Sequence, residues 1–343
     1  MKTYFSLLDA LRFFAAFWVM NFHYLFIIGI SSDIHWYRYG NLGVQLFFII
    51  SGFVIIESIQ GKSLREFAKG RFLRLFPLFW VICTFTYIIT LVVPHTLSLH
   101  FYEYLVSMTM FADTINGFMR NTFSLIDPSY WTLTVELIFY ITIGVVVYLF
   151  SYKRIRYFFL FWLILSMGAF ILHIDQNFYT KLLLVRHASY FIFGGALSLI
   201  ATKQAENLLE KYLDWFLLIS SAVYSVYIHP LAIPAYTAPN THDQIIISWI
   251  LVGFFILIPI FVYISKFITN KIIIKFLFIL GGLTYPLYLL HQRIGNAVIN
   301  YMTSRFDIKW DAFAVCFEVF IILVAYLVYL QDKKLRSWLK NKI

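Results

Sequence analysis

Arg12 and His23 stand eleven residues apart in the first apolar run of the chain. On an α-helix that spacing brings them within about 20° of one face, with a rise of ~16 Å between them. Histidine is the side chain suited to taking a proton from a hydroxyl near neutral pH, which makes His23 a candidate general base. Its bland alternative is a structural histidine bonded to a neighbouring helix. Asp9 lies one turn before Arg12 and is placed to pair with it. A second candidate, Glu136, follows Asp127-Pro128, where the aspartate suits a helix cap and the proline the first helical position. Glu136 falls ~12 Å into its helix, and His23 lies ~10 Å from the far end of its own. The two therefore reach similar depth, with nothing in the sequence to show that they touch. The bland reading of Glu136 is a protonated carboxyl, or one bonded to a backbone carbonyl. Arg71 and Arg74 are one turn apart and spaced to clamp phosphate groups, unless they serve only as topological charge. Glu318 and His229-Pro230 are weaker points. Cys83 and Cys316 sit in apolar runs and read as small hydrophobes. No metal-ligand spacing, phosphate loop, dinucleotide glycine pattern or nucleophile elbow occurs.

The elements that must position these residues are membrane helices. Of 343 residues, 61% are hydrophobic and only 13% charged, with a mean hydropathy of +0.79. Soluble domains carry about 25% charged residues, so a soluble or disordered chain is excluded. A crossing helix needs ~20 mostly apolar residues. Ten candidate spans lie at roughly 7–30, 41–59, 75–93, 129–150, 156–174, 183–201, 213–236, 244–265, 283–301 and 311–331. The expected fold class is an all-α polytopic bundle. A further apolar stretch, 101–110, is too short to span and is expected at the interface or re-entering. With the N-terminus in the cytoplasm, nineteen of the 27 Lys and Arg residues fall inside, five (Arg38, Arg120, Lys181, Arg305, Lys309) outside, and Arg12, Arg186 and Arg293 within helices. The positive-inside rule thus favours cytoplasmic N- and C-termini. It also accounts for the net charge of +10 without a nucleic-acid partner. The first run carries Asp9 and Arg12 and lacks a small-x-small cleavage site, so it is expected to be a permanent helix rather than a signal peptide. One domain over 1–343 is expected, with no fused soluble domain, and with the segment 94–128 facing outward.

These pieces, in this order, resemble the acyltransferase-3 family of integral membrane acyltransferases. Leu8-Asp9-Ala10-Leu11-Arg12 with His23 is similar to the family's opening and its Arg-x10-His spacing. Gly43-Val44-Gln45-Leu46-Phe47-Phe48-Ile49-Ile50-Ser51-Gly52-Phe53 resembles its second-helix motif, with Gln45 where aspartate is common. Arg71-Phe72-Leu73-Arg74 matches its Arg-x-x-Arg. Trp131-Thr132-Leu133-Thr134-Val135-Glu136 resembles its Trp-Ser-Leu-x-x-Glu, with Thr132 for serine. Tyr285-Pro286-Leu287-Tyr288-Leu289-Leu290-His291 is similar to its Tyr-Ser-x-Tyr-x-x-His, with Pro286 for serine.

The resemblance implies an O-acyltransferase of the bacterial inner (cytoplasmic) membrane. It would move an acyl group, acetyl by family frequency, from cytoplasmic acyl-CoA to a hydroxyl of an extracytoplasmic or lipid-linked glycan, without a metal. Arg71, Arg74 and Arg12 would hold the donor phosphates, and His23 would act as general base or as a transient acyl carrier, with Glu136 orienting or charging it. Asp9, Ser51, Trp131, Tyr285 and His291 would support them. The partners implied are acyl-CoA, the glycan acceptor and membrane lipid. A transporter or flippase of a lipid-linked saccharide would also show many spans and buried charges, but has no reason to carry the Arg-x-x-Arg and Arg-x10-His patterns together. A glycan polymerase or ligase usually has an arginine-bearing external loop, and 94–128 carries only Arg120.

Overall fold

The computed structural model describes residues 4–28, 35–93, 99–120, 122–175, 177–232, 240–306 and 308–342, and contains no strand among them. Its helices, in chain order, are α1 (Leu7–Asn21), α2 (His35–Arg38), α3 (Gly43–Ile59), α4 (Leu64–Val92), α5 (Phe101–Ser107), α6 (Ala112–Phe118), α7 (Trp131–Phe150) and α8 (Ile155–Ile171), followed by α9 (Phe178–Leu182), α10 (Ala188–Ala201), α11 (Leu208–Ala232), α12 (Thr241–Ser265), α13 (Lys271–His291), α14 (Arg293–Phe306) and α15 (Trp310–Lys342). Among the described residues, eight helical segments are long and apolar enough to cross a membrane. The chain is an all-α polytopic membrane protein.

Of the ten expected spans, 183–201 and 213–236 are not among these eight, and several boundaries differ, three of them for a clear physical reason. The run 183–201 yields only the fourteen-residue α10, because Leu184 takes a left-handed φ of 54°. The turn before α10 is held by Trp162 Nε1 donating to the Leu183 carbonyl at 2.8 Å. Twelve of the residues of α10 are buried, so it is a core helix needing no full membrane span. The span expected at 283–301 is displaced. α13 begins at Lys271, whose charge and that of Lys275 masked the apolar run behind them, and it ends at His291. α14 starts anew at Arg293. Finally, α1 does not keep α-helical register: it passes into a π-helix over Phe22–Ile28. The 100° phase relating Arg12 to His23 therefore fails beyond Asn21.

The described chain divides into two compact units. The first comprises residues 1–12, 44–68 and 136–277. Its centre is the crossing of α3 and α10. A Cβ added at Gly194 would strike the Ile49 carbonyl, and one at Gly52 the Phe191 carbonyl. Two backbones approach this closely only where side chains are missing, the packing mode favoured by membrane helices. Phe139 of α7 stacks on Phe191 with ring centroids 4.1 Å apart. Arg156 is buried but compensated: Nε meets Asp214 Oδ1 at 3.0 Å, Nη2 donates to the Gln204 carbonyl at 3.1 Å, and Nη1 pairs with Glu210. The second unit comprises 13–43, 69–135 and 278–343. Within it α14 packs on α15 and both touch the π-helical turn.

Gly194→Ala is expected to destabilise the protein by about 1–3 kcal/mol, because neither backbone at the crossing has room to yield. Thermal unfolding in detergent checks this; an unchanged midpoint would show that α3 and α10 separate freely.

Candidate functional site

In the second unit the chemistry gathers where α13 ends. The last four carbonyls of any helix lack intrahelical partners, and an unpaired carbonyl away from water costs free energy. Here three of them meet side chains. His291 Nδ1 lies 2.7 Å from the Tyr288 carbonyl. Tyr130 Oη donates to Leu289 O at 3.0 Å, and Tyr24 Oη donates to His291 O at 2.6 Å. Tyr24 is the neighbour of His23 on the π-helical turn. The bond from Tyr24 thus brings that turn to the end of α13, and the His23 and His291 rings sit with centroids 5.2 Å apart at 48°.

The start of α14 is sealed on the other side of the break. Asp127, fully buried, accepts from the Arg293 backbone N–H through Oδ2 at 2.8 Å and from Ser129 N and Oγ through Oδ1 at 2.8 and 2.7 Å. The Arg293 guanidinium donates to the carbonyls of Ile126 and Leu125, both at 3.0 Å. Asp127 is the cap that the sequence suggests for the turn Pro128–Tyr130, and it also holds the α13–α14 break.

Tyr285, Tyr288 and His291 are spaced by three residues and fall along one side of α13. Tyr285 Oη donates to Leu75 O at 2.9 Å, one residue beyond Arg74. Tyr288 Oη donates to Ser129 O at 2.9 Å and bonds Thr132 Oγ1 at 2.6 Å. Two of the three substituted motif positions fit here: Thr132 supplies the hydroxyl a serine would, and Pro286 sits inside α13 without displacing its tyrosines.

His23 is half-buried, and His291 is almost fully buried at 1% exposure. His23 Nδ1 and His291 Nε2 are buried nitrogens with no hydrogen bond among the described residues. Gln292 Oε1, Asn296 Oδ1 and Glu318 Oε1 are among the buried oxygens that share that condition. Arg71 and Arg74 lie on α4 and are half-buried, whereas Lys62 and Arg65 before them are exposed. Trp131 opens α7 and, with Asp127 and Tyr130, borders a cavity of about 10 Å³.

The remaining candidates belong to the first unit. Arg12 Nη1 lies 4.0 Å from Asp9 Oδ1, the pairing expected from their spacing. Leu7 N donates to Ser265 Oγ at 3.1 Å and ties that turn to α12. Ser51 Oγ donates to Glu136 Oε1 at 2.8 Å, and Tyr140 donates to the same oxygen. Ser51 precedes Gly52, so the glycine crossing of α3 and α10 also locates this hydroxyl. The structure therefore joins Glu136 to Ser51 and joins His23 to His291, within separate units. The side chain of His229 lies outside the described residues. No cluster of three or more His, Cys, Asp or Glu spaced to hold a metal occurs among the described residues.

A family model described as an acyltransferase domain matches residues 5–330. The chain belongs to the acyltransferase-3 family. The match takes in every residue discussed above, and with the apolar helices it makes the protein an integral membrane acyltransferase, acting on an acyl donor and an acceptor. No curated protein and no solved structure matches the chain.

Within this acyltransferase, Tyr24, Tyr130, Asp127 and Arg293 escape a reading of the sequence as functional residues. Asp127 and Pro128 signal a cap, but nothing local reveals that the capping carboxylate also serves a helix 166 residues away. Tyr24→Phe is expected to leave the His291 carbonyl unsatisfied at a cost of about 1–3 kcal/mol. Thermal unfolding of the purified variant in detergent measures it; wild-type stability would show that this carbonyl finds another donor.

Proposed function

We propose that the protein is an O-acyltransferase that moves an acyl group, acetyl by default, from cytoplasmic acyl-CoA to a hydroxyl of an extracytoplasmic or lipid-linked glycan in a bacterial inner membrane. The observation that carries the reading is the half-buried imidazole of His23 on the π-helical turn of a chain whose match to the acyltransferase family is nearly complete. π-helical turns inside α-helices occur frequently at functional sites.

In this reading His23 is the general base. Arg71 and Arg74, half-buried one turn apart on α4, hold the donor phosphates, with Arg12 as a further cation. Guanidinium groups suit this task because their planar forks bind phosphate oxygens two at a time. Glu136 is assigned the role of charging or orienting the base on the strength of its motif; Ser51 and Tyr140 both donate to one of its carboxylate oxygens. Gln292, Asn296 and Glu318 offer buried acceptor oxygens on α14, the turn before it and α15. An acceptor rich in hydroxyl donors, such as a sugar, is the natural complement of such oxygens. Both termini are assigned to the cytoplasm from the distribution of Lys and Arg, and the chain is treated as one catalytic domain.

The test is mass analysis of the cell-surface glycan from cells with and without the gene. An added acyl mass that depends on the gene and disappears with His23→Ala supports the reading. An unchanged glycan mass, or loss of the glycan altogether, refutes it. In purified protein, His23→Ala is expected to abolish transfer while labelled acyl-CoA still binds. The double change Arg71→Ala and Arg74→Ala is expected to raise KM for the donor at least tenfold with acceptor KM little altered. A donor titration that does not move would return the two arginines to a purely topological role.

A further inference from the structure

We infer that His291 sets the tautomer of His23, acting as a positioning residue that points the basic lone pair of His23 toward its half-exposed side. The inference rests on the assignment of His23 as general base.

The argument begins with a carbonyl. The Tyr288 backbone oxygen can only accept a hydrogen bond, so His291 Nδ1, 2.7 Å away, carries the ring proton. In a neutral imidazole the other nitrogen is then an acceptor. His291 Nε2 is that acceptor; it is buried, and no donor reaches it among the described residues. The nearest hydroxyl on the same helix is already committed, because Tyr288 Oη is taken by Ser129 O and Thr132 Oγ1. The adjoining ring is His23, whose Nδ1 is also buried and also meets no partner. A donor–acceptor pair completes both groups only if Nδ1 of His23 bears its proton. The ring torsion of histidine is broad and twofold, so a modest rotation at a centroid separation of 5.2 Å closes the bond. The proton order is then Tyr288 C=O, H–Nδ1 of His291, Nε2 of His291, H–Nδ1 of His23, and the remaining lone pair lies on Nε2 of His23.

This order suits acyl transfer. The acceptor hydroxyl gives its proton to His23 Nε2 as its oxygen bonds to the thioester carbonyl carbon. The carbon–sulfur bond then breaks, and the same proton passes from Nε2 to the departing CoA sulfur. Between these events His23 is an imidazolium whose Nδ1–H donates to His291, so the charge forms against an acceptor already in place. His291 loses no proton at any point.

The experiment uses full-length protein in lipid nanodiscs with ¹⁵N-labelled histidine, the His23 resonances being identified by their absence in His23→Asn. In wild type, neutral His23 is expected to carry its proton on Nδ1. In His291→Phe, which keeps ring bulk but offers no acceptor, the proton is expected to move to Nε2, the form favoured by free histidine. In the same variant kcat is expected to fall by about 100-fold, with donor KM and thermal midpoint within twofold and a few degrees of wild type. His291→Gln, whose amide oxygen stands near the position of Nε2, is expected to recover much of kcat and the Nδ1 proton. A wild-type spectrum with the proton on Nε2 overturns the inference whatever the variants do. So does wild-type kcat in His291→Phe. If instead His23→Ala keeps full transfer activity, the assignment of the base has failed, and that result is separate from any tautomer measured at His23.

Discussion

A helix that ends buried within the protein leaves backbone groups that water cannot reach, and each must find a partner among neighbouring residues. The break between α13 and α14 is governed by that requirement. Its carbonyls are met by Tyr24, Tyr130 and the ring of His291, and its first amide on the α14 side by Asp127. Two distant stretches of chain, the π-helical turn and the segment 127–130, are thereby bound to one point. The π-helical turn bearing His23 is among them, so the placement of the imidazole proposed as the base follows from closing the backbone of another helix. In His291 the nitrogen that caps a carbonyl leaves the opposite nitrogen of the neutral ring as an acceptor.

The first unit solves its own problem differently. There the constraint is steric: α3 and α10 meet backbone to backbone, which only glycine at positions 52 and 194 permits. Ser51 is carried on that crossing and reaches Glu136. The buried Arg156 shows the electrostatic counterpart. A lone guanidinium at that depth would be costly, but two carboxylates and a carbonyl surround it. Such a cluster secures the fold without lending it chemistry.

Local periodicity makes much of this legible in the sequence. The Asp9–Arg12 pair, the Arg71–Arg74 turn and the Asp127 cap are short-range patterns, and each stands where spacing put it. The pairing of His23 with His291 spans 268 positions, and no periodicity can express it. Hydropathy erred where a charge has a private purpose. Lys271 and Lys275 open α13 and hid an apolar helix, while Arg293 looked like a charge within a span although it marks the start of a new helix held by Leu125, Ile126 and Asp127. The change to π-helical bonding at Phe22 likewise leaves no mark in an apolar run.

The length of α4 carries a further implication. Its 29 residues measure ~43 Å, against a hydrocarbon layer of ~30 Å. The surplus belongs at its polar beginning, since the helix remains apolar to Val92. Counting from Leu64, Arg71 and Arg74 stand ~11 and ~15 Å along, at the level where lipid headgroups lie. A pair proposed to hold donor phosphates at this level meets a medium already crowded with phosphodiesters. Charge alone would not distinguish a nucleotide donor from the surrounding lipid. Under the proposed role, selection has to come from the spacing and planarity of the two guanidinium groups, and anionic lipid headgroups become competitors for the pair rather than passive solvent.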